Sequence, residues 1–223
     1  MFERLISLVG KDKFSRLQSV NVLIVGIGGV GGYALEALVR SGIQNISIID
    51  GDSVELSNLN RQIISSNENI GTEKVEAAKE RILKINAEAK IITFNTNLDE
   101  SNIDEILANK YDYIIDACDT VSTKLLLIVK SLKNKYKLIS SMGTANKFNP
   151  SLFSITELSK TNNDPIARIL RKKVKELKIN KKIIVVSSTE TPAINNELGT
   201  NSYIPGIAGL LCASYVINDI TKK

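Results

Sequence analysis

Three clusters in the first two-thirds of the chain carry residues of the right type and spacing to handle phosphate. The first is a glycine run, Gly26, Gly28, Gly29 and Gly31, set between an apolar stretch and a helical pattern. Glycine lets a backbone approach phosphate closely, and the amides opening the next helix supply donors and a positive dipole. Asp50 ends the following apolar stretch, where an acid can take ribose hydroxyls, although it could also simply cap a strand end. The second cluster, Asp52, Asn58, Arg61 and Gln62, fills one polar segment, and Lys74 opens the helix after it. Arg61 offers a fork and Lys74 a point charge to phosphate oxygens, more charge than a dinucleotide needs and about what a triphosphate needs. The plain alternative is a pair of solvated charges near a helix start. The third cluster is Asp116 and Asp119, at the end of another apolar stretch. A carboxylate beside phosphates is a natural Mg²⁺ ligand, while Asp119 could equally be a helix N-cap.

Composition narrows the chemistry further. The 223 residues contain no histidine and two cysteines, Cys118 and Cys212, with no C-x-x-C pair. Imidazole acid–base chemistry, His-based triads, a structural zinc site and a disulfide scaffold are thereby excluded. Cys118 sits between two carboxylates at a strand end, which favours inert packing over nucleophilic attack. The net charge is +5. Residues 168–182 hold eight basic side chains against the single acid Glu176, which leaves the rest of the chain slightly acidic. A basic segment on a near-neutral body points to a local polyanionic partner, or to a solvated helix face.

The elements that must hold these clusters alternate strand and helix. Strands are expected at 20–25, 45–50, 90–94, 111–116 and 137–141, and helices at 33–41, 72–85, 101–108 and 120–133, with residues 125–129 facing the sheet. This is the grammar of an α/β, Rossmann-like, doubly wound and mainly parallel sheet. After Pro150 come an expected strand at 152–156, a basic helix over 164–182, a strand at 182–187, a polar loop at 189–202 with the composition of a mobile segment, and an apolar helix at 206–219. These later elements are expected to extend the same sheet. The chain then reads as one domain with an N-terminal helical arm (1–20), a nucleotide-binding core (20–150) and an extension (151–223). The charged N-terminus argues against a secretory signal, so a cytoplasmic protein is expected. The apolar run near the C-terminus is short for a membrane span, yet could touch a membrane surface.

Taken with their spacing, the motifs Gly-Ile-Gly-Gly-Val-Gly, Asn58-Leu59-Asn60-Arg61-Gln62, Gly71-x-x-Lys74 and Asp116-x-x-Asp119 resemble the enzymes that adenylate ubiquitin-like and sulfur-carrier proteins. Ser141-Met142-Gly143-x-Ala145-x-Lys147-x-x-Pro150, Lys160-Thr161-x-x-Asp164-Pro165-x-Ala167-Arg168-x-x-Arg171-Lys172 and Pro205-x-x-Ala208-Gly209 are similar to the tRNA threonylcarbamoyladenosine dehydratase branch of that superfamily. The resemblance covers nearly the whole chain. It implies an ATP-binding adenylating domain with its substrate side in the 151–223 extension, ATP and Mg²⁺ as cofactors, the glycines over the nucleotide, Asp50 on the ribose, and Asn58, Arg61 and Lys74 on the phosphates. Asp119 would hold Mg²⁺ and be essential for adenylation. Arg4 would reach the ATP of a partner subunit in a homodimer, or else is a surface arginine. Lys147, Arg168, Arg171, Lys172, Lys173 and Lys175 are expected to meet a tRNA carrying threonylcarbamoyladenosine.

Three competing readings remain at this level. A sulfur-carrier adenylyltransferase would use the same ATP site, but relatives of that kind commonly carry two C-x-x-C zinc pairs, absent here. A NAD(P)-dependent oxidoreductase would explain the glycines and Asp50 but not Arg61, Lys74 and Asp119. A non-catalytic RNA-binding module would explain only the basic segment. Sulfur-relay partners, known for some relatives, have no readable counterpart in this chain.

Overall fold

In the computed structural model, which describes residues 1–194 and 197–222, the elements follow the expected alternation. They are α1 (Glu3–Val9), α2 (Lys11–Ser19), β1 (Asn21–Val25), α3 (Gly31–Arg40), β2 (Asn45–Ile49), α4 (Lys74–Ile85), β3 (Lys90–Phe94), α5 (Ile103–Leu107), β4 (Tyr113–Asp116), α6 (Val121–Asn134), β5 (Lys137–Ser141), β6 (Phe153–Glu157), α7 (Pro165–Glu176), β7 (Ile184–Ser188) and α8 (Ile204–Thr221). The strands form one sheet in the order β3-β2-β1-β4-β5-β7-β6, parallel except for the antiparallel pairing of β6 with β7. Both strands after Pro150 therefore extend the sheet begun by β1 to β5.

Burial explains why the central strands read as unbroken apolar runs. Val22 and Ile24 of β1 face a core shared with α2, α3, α4 and α8, whereas Leu23 and Val25 face a second core closed by α5 and α6. A strand covered on both faces gains from an apolar residue at every position. The edge strands β3 and β6 are only partly covered and correspondingly mixed in composition.

Four expectations need correction. The run 125–129 does not all face the sheet: Leu127 and Ile128 are buried and Val129 is exposed, because five successive residues of a helix cannot share one face. The basic helix ends at Glu176 rather than 182, where Lys178 adopts a left-handed φ of 55° and turns the chain. Residues 1–20 are less an arm than expected. Phe14 and Leu17 of α2 enter the main core, and only α1 has no buried residue. Finally, α8 is long and apolar enough to cross a membrane by length and composition, yet it packs on α2, α3 and the sheet. Ile204, Ala208, Cys212, Val216 and Ile220 form its buried stripe, so that much of its apolar surface is used in the core.

Candidate active site

The chain leaves β1 to one side through β2 and β3, then returns to β4 and β5 on the other. Where that reversal occurs, the carboxyl ends of β1, β2 and β4 open a crevice, the usual place for a ligand in such sheets. A cavity of about 910 Å³ lies there, lined by the glycine loop, Asp50, the 52–62 segment, Lys74, residues 96–99, 117–120, 141–145 and 198–200.

The glycine loop is shaped by two different demands. Gly26 has φ of +89°, and a Cβ there would sit 2.8 Å from the Ala117 carbonyl oxygen. Gly31 is outside the cavity lining; a Cβ on it would meet the Gly26 carbonyl oxygen at 1.8 Å, so the absence of a side chain is what seats the first turn of α3 against the loop. Gly28 and Gly29 do face the cavity, together with Val30 at the start of α3, where the positive end of the helix dipole favours an anion.

Asp50 braces the loop. Its Oδ2 accepts from the Ile27 amide at 2.7 Å, its Oδ1 from the Asp52 amide at 3.0 Å, and the Lys74 ammonium stands 3.9 Å away. Lys74 is itself placed by backbone pairing: Val54 donates to the Thr72 carbonyl and the Lys74 amide to that of Asp52, which brings Lys74 Nζ to 2.7 Å from Asp52 Oδ2. Arg61 Nη1 donates to the Ser57 carbonyl at 2.8 Å and to Asn60 Oδ1 at 3.0 Å. Asn58 lines the cavity with its side chain engaged in a capping box, accepting from the Glu55 amide. Gln62 is buried beside them, and its Oε1 has no partner within the described residues.

The two rim aspartates part company. Thr120, not Asp119, occupies the N-cap position of α6, and the Asp119 carboxylate is exposed at the cavity. Asp116, expected beside it in the cofactor site, is fully buried and absent from the lining. Its Oδ1 is 3.1 Å from Lys124 Nζ and its Oδ2 accepts from Ser140 Oγ at 2.5 Å. Burial opposes the charge on Lys124, but Asp116 outweighs it and the ammonium's pKa is raised. Lys124 also donates to the Ser141 carbonyl at 2.7 Å, tying β4 to the chain leaving β5. Cys118 Sγ donates to Asp116 at 3.0 Å; burial first, and then that carboxylate, push its thiol well above the ordinary range. An unactivated thiol suits the packing role expected for Cys118.

The lining carries five carboxylates, Asp50, Asp52, Glu55, Asp99 and Asp119, against two cations, Arg61 and Lys74. Such a site is too acidic to attract a triphosphate by its own side-chain charge, and a divalent cation or a further arginine would correct the balance. No group of three or more His, Cys, Asp or Glu side chains placed to hold a metal occurs among the described residues.

The sequence profile of the ThiF family matches residues 2–223. The chain belongs to the ThiF family. It is 35% identical over 240 residues to the tRNA threonylcarbamoyladenosine dehydratase of Bacillus subtilis, covering 99% of this chain and 94% of that protein. The E. coli tRNA N6-threonylcarbamoyladenosine dehydratase, solved in complex with ATP, superposes with a TM-score of 0.95 at 32% identity, covering 99% of this chain and 93% of that one. A probable molybdopterin-synthase adenylyltransferase of Porphyra purpurea is 40% identical, but over only 55% of this chain and 31% of that protein.

Within this ThiF-family chain the expected RNA-facing residues also divide. Arg168, Lys172, Lys173 and Lys175 are exposed on α7. Arg171 is half-buried and donates to the Thr161 carbonyl at 2.8 Å and to the Thr161 hydroxyl. Lys147 is buried, with Nζ 3.0 Å from Asp164 Oδ2, and so cannot meet an RNA. Arg4 lies on exposed α1 and is outside the cavity lining of its own chain. Sequence reasoning missed residues 96–99, which follow β3; their place at the carboxyl end of a strand was the available signal. It also missed Lys124, whose type argues for the surface.

Proposed function

We propose that this chain catalyses the ATP-dependent cyclisation of threonylcarbamoyladenosine in tRNA through an acyl-adenylate. The observation that carries this reading is coverage: similarity to the dehydratases runs through the whole chain, including the substrate-side strands and α7, whereas the adenylyltransferase match stops near half.

The residues suit the chemistry. The substrate carboxylate is a poor electrophile, and both it and ATP are anionic. Attack on the α-phosphate breaks the α–β bond and releases pyrophosphate. The carbamoyl oxygen of the same side chain then closes on the activated carbonyl, AMP leaves with the carboxylate oxygen, and the carbamoyl nitrogen gives up a proton. Net, one water is lost, and no protein nucleophile is required. In this reading the Gly28–Gly29 backbone and the start of α3 hold phosphates, Asp50 accepts from the ribose while bracing the loop, and Arg61 and Lys74 neutralise oxygens as charge shifts to pyrophosphate. Mg²⁺, when bound, supplies further neutralisation, and Asp119 is the carboxylate placed to hold it. The acidic lining gives a physical reason for a homodimer in which Arg4 of a second copy adds positive charge. The exposed Arg168, Lys172, Lys173 and Lys175 would engage tRNA phosphates.

Radiolabelled pyrophosphate exchange tests the reading. Exchange into ATP is expected only with a tRNA carrying threonylcarbamoyladenosine; exchange driven by a sulfur-carrier protein would transfer the chain to the adenylyltransferases.

A further inference from the structure

Lys147 and Asp164 form an ion pair with both side chains at most 1% exposed, 3.0 Å between Nζ and Oδ2. The activity proposed above assigns neither of them a task. A buried pair of this kind is seldom the most stabilising choice, since apolar residues of similar size often do as well. What it does well is fix one geometry, and its partners show which. Lys147 Nζ also donates to the Gly143 carbonyl at 2.6 Å and lies 5.6 Å from the centre of the Phe153 ring. Asp164 uses its other oxygen, Oδ1, to cap α7, accepting from the Ala167 amide at 2.9 Å. The pair thus joins the first turn of the basic helix to the 143–147 segment.

That segment is a wall of the cavity. Gly143, Thr144 and Ala145 line it, and so does Ile166 from the first turn of α7. A Cβ on Gly143 would sit 3.2 Å from Asp164 Oδ2, so the wall rests directly on the carboxylate. The next residue along, Asn146, has a left-handed φ of 56° and clasps the loop opposite. Its amide donates to the Gly199 carbonyl at 2.8 Å, its Oδ1 accepts from the Gly199 amide at 2.7 Å, and its carbonyl accepts from the Ala193 amide at 2.8 Å. Asn201 closes the same contact by donating to the Lys147 carbonyl at 3.0 Å. A continuous set of short contacts therefore runs from α7, through Asp164 and Lys147, to both loops on the substrate side of the cavity.

We infer that Lys147 and Asp164 are positioning residues that register an RNA bound on α7 against the cavity, so that docking orders the 143–147 and 197–200 segments around the reacting nucleoside. The inference rests on the tRNA reading of α7. It is separable from that reading because it predicts a signal that needs no turnover.

The test compares the whole wild-type chain with Lys147→Met/Asp164→Asn. The double variant leaves no buried charge unpaired, and asparagine keeps the helix cap. Amide hydrogen exchange is followed with and without an unmodified tRNA transcript, and single-turnover conversion of threonylcarbamoyladenosine-bearing tRNA is measured at saturating ATP. In the wild type, tRNA should slow exchange at 143–147 and 197–200 as well as on α7. In the variant, α7 protection and ATP affinity should stay within about twofold, protection of the two loops should vanish, and the single-turnover rate should fall at least about tenfold. A purely structural role would instead lower ATP affinity, tRNA affinity and thermal stability together. Loop protection equal in both proteins, absent from the wild type, or lost only along with α7 protection would overturn the inference. Should the double variant not fold, Gly143→Ala, which presses on Asp164 without changing charge, is expected to weaken the same loop protection; unchanged protection would overturn the inference. A wild type that shows the exchange pattern but converts no tRNA would instead overturn the proposed activity.

Discussion

The two walls of the cavity use the same residue types in opposite ways. On the wall formed by the glycine loop and the 50–74 segment, Asp50, Asp52, Arg61 and Lys74 line the cavity, held by backbone amides, carbonyls and one another, with Lys74 itself buried against Asp52. Behind the far wall, Asp116, Lys124, Lys147 and Asp164 are buried and spend their charge on internal pairs. Each of those ammonium groups also grips a carbonyl of the chain leaving β5, Lys124 that of Ser141 and Lys147 that of Gly143. One wall presents its charged groups to the cavity; the other uses charge to hold cavity-lining backbone in place. A lysine or an aspartate near a site is therefore no guide to its role until its exposure and partners are known.

Substitutions can break or sharpen this contrast. The largest effect is expected at the exposed rim: Asp119→Ala should reduce adenylation by at least about 10²-fold with little change in melting temperature, because among the described residues its carboxylate takes part only in a hydrogen bond from the Thr120 hydroxyl. Pyrophosphate exchange beside thermal melting checks both halves. Lysines on the two walls should then fail differently. Lys124→Met leaves Asp116 buried and unpaired and should cost about 3–5 kcal/mol in denaturant unfolding. Lys74→Met should chiefly raise the Kd for ATP; equal losses of stability would remove the distinction.

On α7, Arg168→Glu with Lys172→Glu should weaken tRNA binding and flatten its salt dependence by roughly one unit of slope per lost phosphate contact. Binding measured across a salt series would return the helix to an ordinary solvated face if nothing changed. The smallest effect belongs to Cys118. Cys118→Ser should keep single-turnover rates within about twofold, and the native thiol should resist alkylation past its ordinary value of 9.0. The unfolded chain releases that proton near 9 whereas the folded chain retains it. The contribution of Cys118 to stability therefore falls as pH rises above that value.

Much of the fold was legible because it depends on short-range pattern. The glycine run, the apolar strands and the capped start of α7 each announce an element within a few residues. The gathering of Arg61 and Lys74 at one cavity was legible for the same reason, since both follow β2 in the chain and lie at its carboxyl end. The opposite wall was not, since the partners of Lys147 and Lys124 depend on how β5, α6 and α7 pack, and an ammonium in a sequence suggests water. Arg171 was misread on the same ground, its guanidinium being engaged by Thr161 ten residues earlier. The packing demand on Gly31 was hidden for a subtler reason, because a glycine needed for helix packing and one needed beside a phosphate look alike until a Cβ is placed on each.

The central claim is that ATP bound between these walls is used to remove water from a modified nucleoside in tRNA. It is tested most directly by mass spectrometry of nucleosides from threonylcarbamoyladenosine-bearing tRNA incubated with the protein, ATP and Mg²⁺. The account predicts that the modified nucleoside loses the mass of one water, only when ATP is present, and with one AMP formed per nucleoside converted. An unchanged nucleoside mass in the presence of an ATP-bound, folded protein would contradict it.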